Sequence, residues 1–162
     1  MSGLLGRRTI VIGAGIGGLS MAGALAKYFE QVEILERDRL TASAASRSGT
    51  PQDRHPHGLL AGGLRALDRI FPGFERDLAT AGAIPVTFAR DVQFERPDVG
   101  VLPKRDFAIS VLCATRPLIE LVSAGVLLWR LNVEMRRAAE FPERVERRAS
   151  RIGAVLLFGL AT

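Results

Sequence analysis

The chain has 162 residues, 48% of them hydrophobic, with 22 basic against 17 acidic side chains and a formal net charge of +5. That length suits one domain with a real core, and the basic excess is spread out with no basic block interleaved with aromatics, which excludes an obvious nucleic-acid binder. The single cysteine, Cys113, rules out an intrachain disulfide and fits a reducing cytoplasm, while no signal-peptide pattern occurs and no apolar run reaches the ~18 residues that span a bilayer.

In chain order, Ile10, Val11 and Ile12 form a branched apolar run that predicts a parallel strand covered on both faces. A glycine-rich turn follows at Gly13, Gly15, Gly17 and Gly18. In that order and spacing, Gly13 permits the tight exit from the strand, Gly15 clears the approach of a pyrophosphate, and Gly18 allows close helix-to-strand packing. Gly17 is one further small position. A helix is predicted over 16–28, with unpartnered N-terminal amides and a positive dipole end that favour an anion. Val32, Ile34 and Leu35 then form a second strand, closed by Glu36. An acid at that place can accept hydrogen bonds from both ribose hydroxyls of an adenosine, and it would repel a 2′-phosphate, which argues against NADP. The strand, turn, helix, strand and acid together define a Rossmann-like α/β unit; the turn by itself does not separate FAD from NAD.

A polar loop rich in Ser, Ala, Pro and Arg runs from Arg37 to Gly58, long for a compact domain. Leu60, Leu64, Leu67 and Phe71 then predict an amphipathic helix over 59–71, stopped by Pro72 and Gly73, with Arg65, Asp68 and Arg69 outward. A short helix is predicted over 75–81 with Gly82 as its cap. Strands are predicted at 86–88, 92–94 and 107–113, a small antiparallel element. Cys113 lies in the last and reads as a small hydrophobe, not a nucleophile. Pro117 opens a further helix. From about Ser123 the character changes, through an apolar run, a charged stretch broken at Pro142 and a second apolar run. The sequence therefore predicts a dinucleotide domain at 1–122 and an atypical tail at 123–162, packed poorly, with its apolar runs at 126–131 and 155–160 as aggregation liabilities.

Residues 7–120 resemble the N-terminal half of bacterial FAD-dependent monooxygenases and epoxidases of the aromatic-hydroxylase class. The resemblance is carried by Val11 to Leu19 with Glu36, Arg37 and Asp38; by Ser48 to Leu60 followed by Gly63 to Leu67 and Phe71 to Gly73; and by Thr115 to Glu120. The middle segment, with Pro51, Gln52, His55 and His57, is the most specific, because no generic Rossmann fold demands it. The resemblance implies that Gly13, Gly15 and Gly18 line the pyrophosphate of FAD and that Glu36 holds the adenosine ribose. It further implies that Arg37 lies near the adenine, that Arg47 lies near the phosphates or ribityl chain, and that Arg116 approaches the cofactor. For both arginines a solvated surface charge is the competing reading. His55 and His57 supply only two ligands in a chain with no other histidine, so a turn or surface role is favoured over a metal site.

Members of that class are about twice this length or more and carry a second cofactor motif with a Gly-Asp dipeptide, which this sequence lacks. The reading frame is accordingly expected to have shifted or been cut near 121–125. Three functions compete: an N-terminal fragment of an FAD-dependent monooxygenase, with NAD(P)H as electron donor and no activity alone; a non-catalytic dinucleotide-binding module; and an NAD-linked oxidoreductase. No side chain is assigned as a catalytic acid or base, no metal is assigned, and the only partner implied is the small-molecule cofactor.

Overall fold

The computed structural model describes residues 3–131 and 133–137. In chain order its elements are β1 (Gly6–Ile12), α1 (Ile16–Leu25), β2 (Phe29–Glu36), a 3-10 turn (Pro51–Arg54), β3 (Pro56–Leu59), α2 (Ala61–Ile70), α3 (Phe74–Thr80), β4 (Ile84–Thr87), β5 (Glu95–Arg96), β6 (Gly100–Val101), β7 (Ser110–Thr115), α4 (Arg116–Arg130) and β8 (Glu134–Arg137).

β1 and β2 pair in parallel with Val11 opposite Ile34, and α1 is the crossover between them. β8 adds in parallel to the other edge of β2, so the order is β1-β2-β8. The expected α/β unit is therefore present, with shifted bounds. The helix stops at Leu25, short of residue 28, and β2 starts at Phe29. The expectation that the first strand is covered on both faces is corrected. Val11 is buried, but Ile10 and Ile12 are 49% and 43% exposed. β1 is an edge of the described sheet, and β2 takes the central position with Val32, Ile34 and Leu35 all buried. A run of branched apolar residues does not by itself say which strand lies in the middle.

A second, antiparallel sheet has the order β3-β7-β4, with the β5-β6 hairpin beside it. Two corrections arise here. His57 and its neighbours, read from sequence as loop, form β3 against β7, with His57 opposite Ala114. Residues 92–94, read as a strand, are not one; pairing starts at Glu95. Backbone partners across the sheet decide both cases, and local alternation over three residues is too short to report them.

The core is a single cluster in which α1, β2, α2, α3, β7 and α4 meet. Leu19, Ile34, Phe71, Phe74, Leu78 and Leu127 are essentially inaccessible, and Phe71 and Phe74 meet in a tilted ring pair with centroids 5.9 Å apart. α1 lies so close to α2 that a Cβ on Gly23 would stand 2.6 Å from Cγ2 of Ile70. The amphipathic face of α2 is as read for Leu64 and Phe71, whereas Leu60 is 60% exposed, because it precedes the helix as its N-cap.

The boundary placed at residue 122 falls inside α4, which runs unbroken to Arg130. The poor packing expected from residue 126 does not apply at its start, since Val126 and Leu127 are buried in the core. The one-residue spacing of large apolar groups hid their face: Leu128, next in sequence, is half-exposed. The charged stretch from residue 138 and the apolar run at 155–160 lie outside the described residues.

Gly18 is the sharpest steric constraint. A Cβ there would fall far inside contact distance of the Gly13 carbonyl oxygen, a backbone atom that cannot swing aside. Gly18→Ala is therefore expected to destabilise the chain by about 3 kcal/mol, the upper end of overpacking costs. Phe71→Ala is expected to cost about 3–5 kcal/mol through the cavity it leaves. Denaturant midpoints at an unchanged slope measure both; a Gly18→Ala midpoint equal to that of the parent chain contradicts the close-approach argument.

Candidate functional site

The turn between β1 and α1 is built from glycines that do different work. Gly13 has φ +92°, a left-handed conformation that side-chain-bearing residues rarely adopt. Its N–H donates to the Leu35 carbonyl at 2.7 Å, which locks the turn to the end of β2. Gly15 is the N-cap of α1 in extended conformation, and no side chain caps the helix there. A Cβ on Gly15 would meet only Oε1 of Glu120 at 3.6 Å and Nη2 of Arg116 at 3.7 Å, ordinary contacts. Gly17 is exposed, with open space where its Cβ would be. Neither backbone conformation nor crowding in the chain thus demands glycine at 15 or 17, whereas conformation demands it at 13 and crowding demands it at 18.

Four charged side chains converge beside this turn. Arg47, 11% exposed, sends its guanidinium between two buried carboxylates. It lies 3.5 Å from Glu36 and makes a short charge-assisted bond to Oε2 of Glu120, and it also donates to the Ala14 carbonyl at 3.2 Å. Arg116 donates from Nε to the other oxygen of Glu120 at 2.9 Å, one helical turn away. Glu36 accepts from the Ala14 N–H at 2.5 Å with Oε2 and from the Asp38 N–H at 2.9 Å with Oε1. The cluster is neutral, two anions against two cations, and removing one member of such a buried set strands its partners at a cost of about 3–5 kcal/mol.

The loop carrying Arg47 is itself anchored. The Arg47 N–H donates to Oδ2 of Asp53 at 2.9 Å, and the Thr50 hydroxyl donates to the same oxygen at 3.2 Å. These bonds hold the Asp53 carboxyl below the ordinary carboxylate range, the Arg47 backbone bond contributing most and burial opposing it. Asp38 ties the loop from the other side, accepting from the Gly49 N–H at 2.8 Å.

Of the residues singled out in the sequence, Gly13, Gly15, Gly17, Gly18, Glu36, Arg47 and Arg116 all stand at this one turn. Arg47 and Arg116 are not solvated surface charges; they are 11% and 20% exposed and share a carboxylate. Arg37 stands apart, 75% exposed with its Nε 3.9 Å from Asp38. His55 is exposed, and the His57 ring lies 3.2 Å from the Gln52 carbonyl. No group of three or more potential metal ligands occurs among the described residues. Cys113 is part-buried in β7. No described helix is long and apolar enough to cross a membrane. Glu120 was missed as a member of the site. Its signal was available: it lies four residues after Arg116 in a helix opened by Pro117, on the same face. A cavity of about 50 Å³ opens beside the cluster, lined by Ala14, Leu40, Arg47, Glu120 and Ala124 among others.

A strand, a glycine turn, a helix with an uncapped N-terminus and a parallel strand ending in a buried acid make a Rossmann-like α/β unit. Comparison with known proteins agrees: residues 11–67 match the family described as NAD(P)-binding Rossmann-like domain. Protein Rv3254 of Mycobacterium tuberculosis is 33% identical over an alignment that covers 97% of this chain and 34% of the relative. Among solved structures, 2-methyl-3-hydroxypyridine-5-carboxylic acid oxygenase superposes with a TM-score of 0.57 at 20% identity, over 83% of this chain and 32% of that one. The p-nitrophenol 4-monooxygenase PnpA of Pseudomonas putida DLL-E4 gives 0.56 at 22% identity, over 85% and 33%. The chain thus shares the fold of part of these solved structures and spans about a third of the length of these relatives.

Asp53 generates a pH prediction for this site. Its folded pKa is lowered, so its contribution is present above the unfolded value of about 3.9 and is lost as pH falls through the folded value. Amide hydrogen exchange of 47–53 is expected to quicken selectively below that range, relative to β2, and Asp53→Asn is expected to reproduce the effect at neutral pH. Equal protection of 47–53 in parent and variant at pH 7 contradicts this anchoring role.

Proposed function

We propose that this chain is the dinucleotide-binding part of an FAD-dependent oxidoreductase of the monooxygenase type, and that it holds the ADP half of FAD at the head of α1. The observation that carries the proposal is the convergence of Arg47 and Arg116 on the N-terminus of α1 beside Gly15, from a loop and a helix remote in sequence. Two guanidinium groups and unpartnered helix amides are the donor set a diphosphate requires. Gly15 leaves room over the backbone for that group. Glu36 retains acceptor lone pairs beyond those taken by the Ala14 and Asp38 amides, and these would receive the ribose hydroxyls. Arg37, exposed next to it, would flank the adenine.

In a monooxygenase the bound flavin takes electrons from NAD(P)H and activates molecular oxygen; the protein binds, orients and shields it. The residues named here serve the first two of those tasks. Shielding requires a cover over the ring, and the sequence has no Gly-Asp segment to hold the ribityl chain. We therefore infer binding of the adenosine end with no sustained hydroxylation by the 162 residues on their own. The lone cysteine favours a cytoplasmic setting.

An NAD-linked function is the second reading, favoured by the family description matched at residues 11–67. Titration calorimetry with FAD, ADP, NAD and NADP separates the two. FAD and ADP are expected to bind, NADP to bind least because Glu36 repels its 2′-phosphate, and purified protein is expected to take up flavin absorbance when FAD is added. NAD bound tightly with FAD ignored overturns the flavin reading. Gly15→Val is expected to keep the fold, since its Cβ meets only ordinary contacts, and to abolish ADP binding by filling the diphosphate space. Unchanged ADP affinity in that variant removes the site from the turn. Oxygen uptake with FAD and NAD(P)H, coupled to a hydroxylated product, is expected to be absent, and its presence would falsify the inactivity inference.

A further inference from the structure

Glu120 pairs both arginines at the centre of the site, yet nothing in the proposed binding of the ligand uses it. Its side chain is 7% exposed, and its two oxygens are divided between the two arginines, Oε2 to Arg47 and Oε1 to Arg116. Oε1 also lies 3.6 Å from where a Cβ of Gly15 would stand. That is the space which the glycine leaves clear for the first phosphate oxygens. An anion of the protein's own thus sits against the uncapped end of α1, bonded to the same donors that a diphosphate would use.

We propose that Glu120 is an affinity-setting residue of the dinucleotide site, an internal carboxylate that holds Arg47 and Arg116 in place and is exchanged for the diphosphate when the ligand binds. The proposal rests on the dinucleotide reading above. The physical argument is competition. A guanidinium donates through a fixed set of N–H groups, and those directed at Glu120 are not available to a phosphate until the carboxylate withdraws. The carboxylate also repels the incoming phosphates across a poorly solvated space, where charges interact more strongly than in water. In return it keeps two part-buried cations paired in the free protein, where they would otherwise be left without that counterion. The small cavity beside the cluster, lined by Leu40, Arg47, Glu120, Leu121 and Ala124, gives the side chain somewhere to turn. Glu36 cannot serve the same purpose, since both its oxygens are fixed by backbone amides at Ala14 and Asp38.

The competition makes a claim about phosphate and not about adenosine. In the full chain, Glu120→Gln keeps the shape and one hydrogen-bond acceptor but removes the charge. ADP is expected to bind about tenfold more tightly to this variant than to the parent, equivalent to about 1.4 kcal/mol, with adenosine affinity unchanged. Glu120→Asp, which withdraws the carboxylate from Gly15 by one methylene, is expected to show a smaller gain for ADP and again none for adenosine. This second variant decides the matter if Glu120→Gln does not fold. Equal or weaker ADP binding in the folded variants, with the parent binding ADP, overturns the competition while leaving the dinucleotide site intact. Parallel changes for ADP and adenosine overturn it too, because a merely structural role moves both. If neither parent nor variants bind ADP, the dinucleotide reading itself fails, and this inference with it.

Discussion

The guanidinium of Arg47 is the contact on which the arrangement of this site depends. It reaches the Ala14 carbonyl in the glycine turn, Glu36 at the end of β2 and Glu120 in α4, and so joins three segments distant in sequence. Each partner is buried or nearly so, and none of the charges is satisfied without the others. Burying ions is costly unless all of them are paired and hydrogen-bonded, and this cluster meets that condition through two arginines, two carboxylates and the backbone amides of Ala14 and Asp38. The position of the loop between β2 and β3 follows from it. Asp53 and Asp38 tie down that loop's backbone, and the Arg47 side chain ties it to the turn and to α4.

The two sheets divide the work. The parallel one supplies the turn and the acid, with Gly13 bonded to Leu35 across the strands so that the turn and the end of β2 are one rigid unit. The antiparallel one supplies Arg116. β7 leads directly into α4, Thr115 caps that helix by accepting from the Leu118 N–H at 3.4 Å, and Pro117 sits in its first turn, where a missing N–H costs nothing. Helix and strand together direct the first residue of α4 toward the head of α1. Packing then fixes the distance, since α4 shares the core with α1 through Leu127, Ile119 and Leu19.

Much of the site was legible from local pattern. The steric demands at Gly13 and Gly18 and the place of Glu36 at the end of β2 could be read because they are set by the short path from strand through turn to helix, where spacing and geometry are nearly equivalent. That Arg47 and Arg116 stand beside the turn was expected only through resemblance. As isolated residues in a polar loop and a helix start they look like surface charges, and only the fold shows that they share one carboxylate. Glu120 escaped notice because a glutamate in a helix, four residues from an arginine, is ordinarily a solvated pair. The expected domain boundary at 122 came from a change in composition. Composition reports nothing about the buried face that carries α4 on to Arg130, nor about the backbone pairing of β8 with β2.

The sequence by itself determined the βαβ unit, its hand-over points at the glycines and the acid that closes it, because steric demands at Gly13 and Gly18 and apolar runs act over a few residues. It also determined that a strand and a proline-opened helix follow late in the chain. Tertiary structure alone decided that β2 and not β1 is central, that His57 lies in a strand, and that Glu36, Arg47, Glu120 and Arg116 form one neutral cluster. The reason is physical. Burial and charge pairing depend on which segments meet across the fold, and a carboxylate or guanidinium has the same local signature whether it faces water or its counterion.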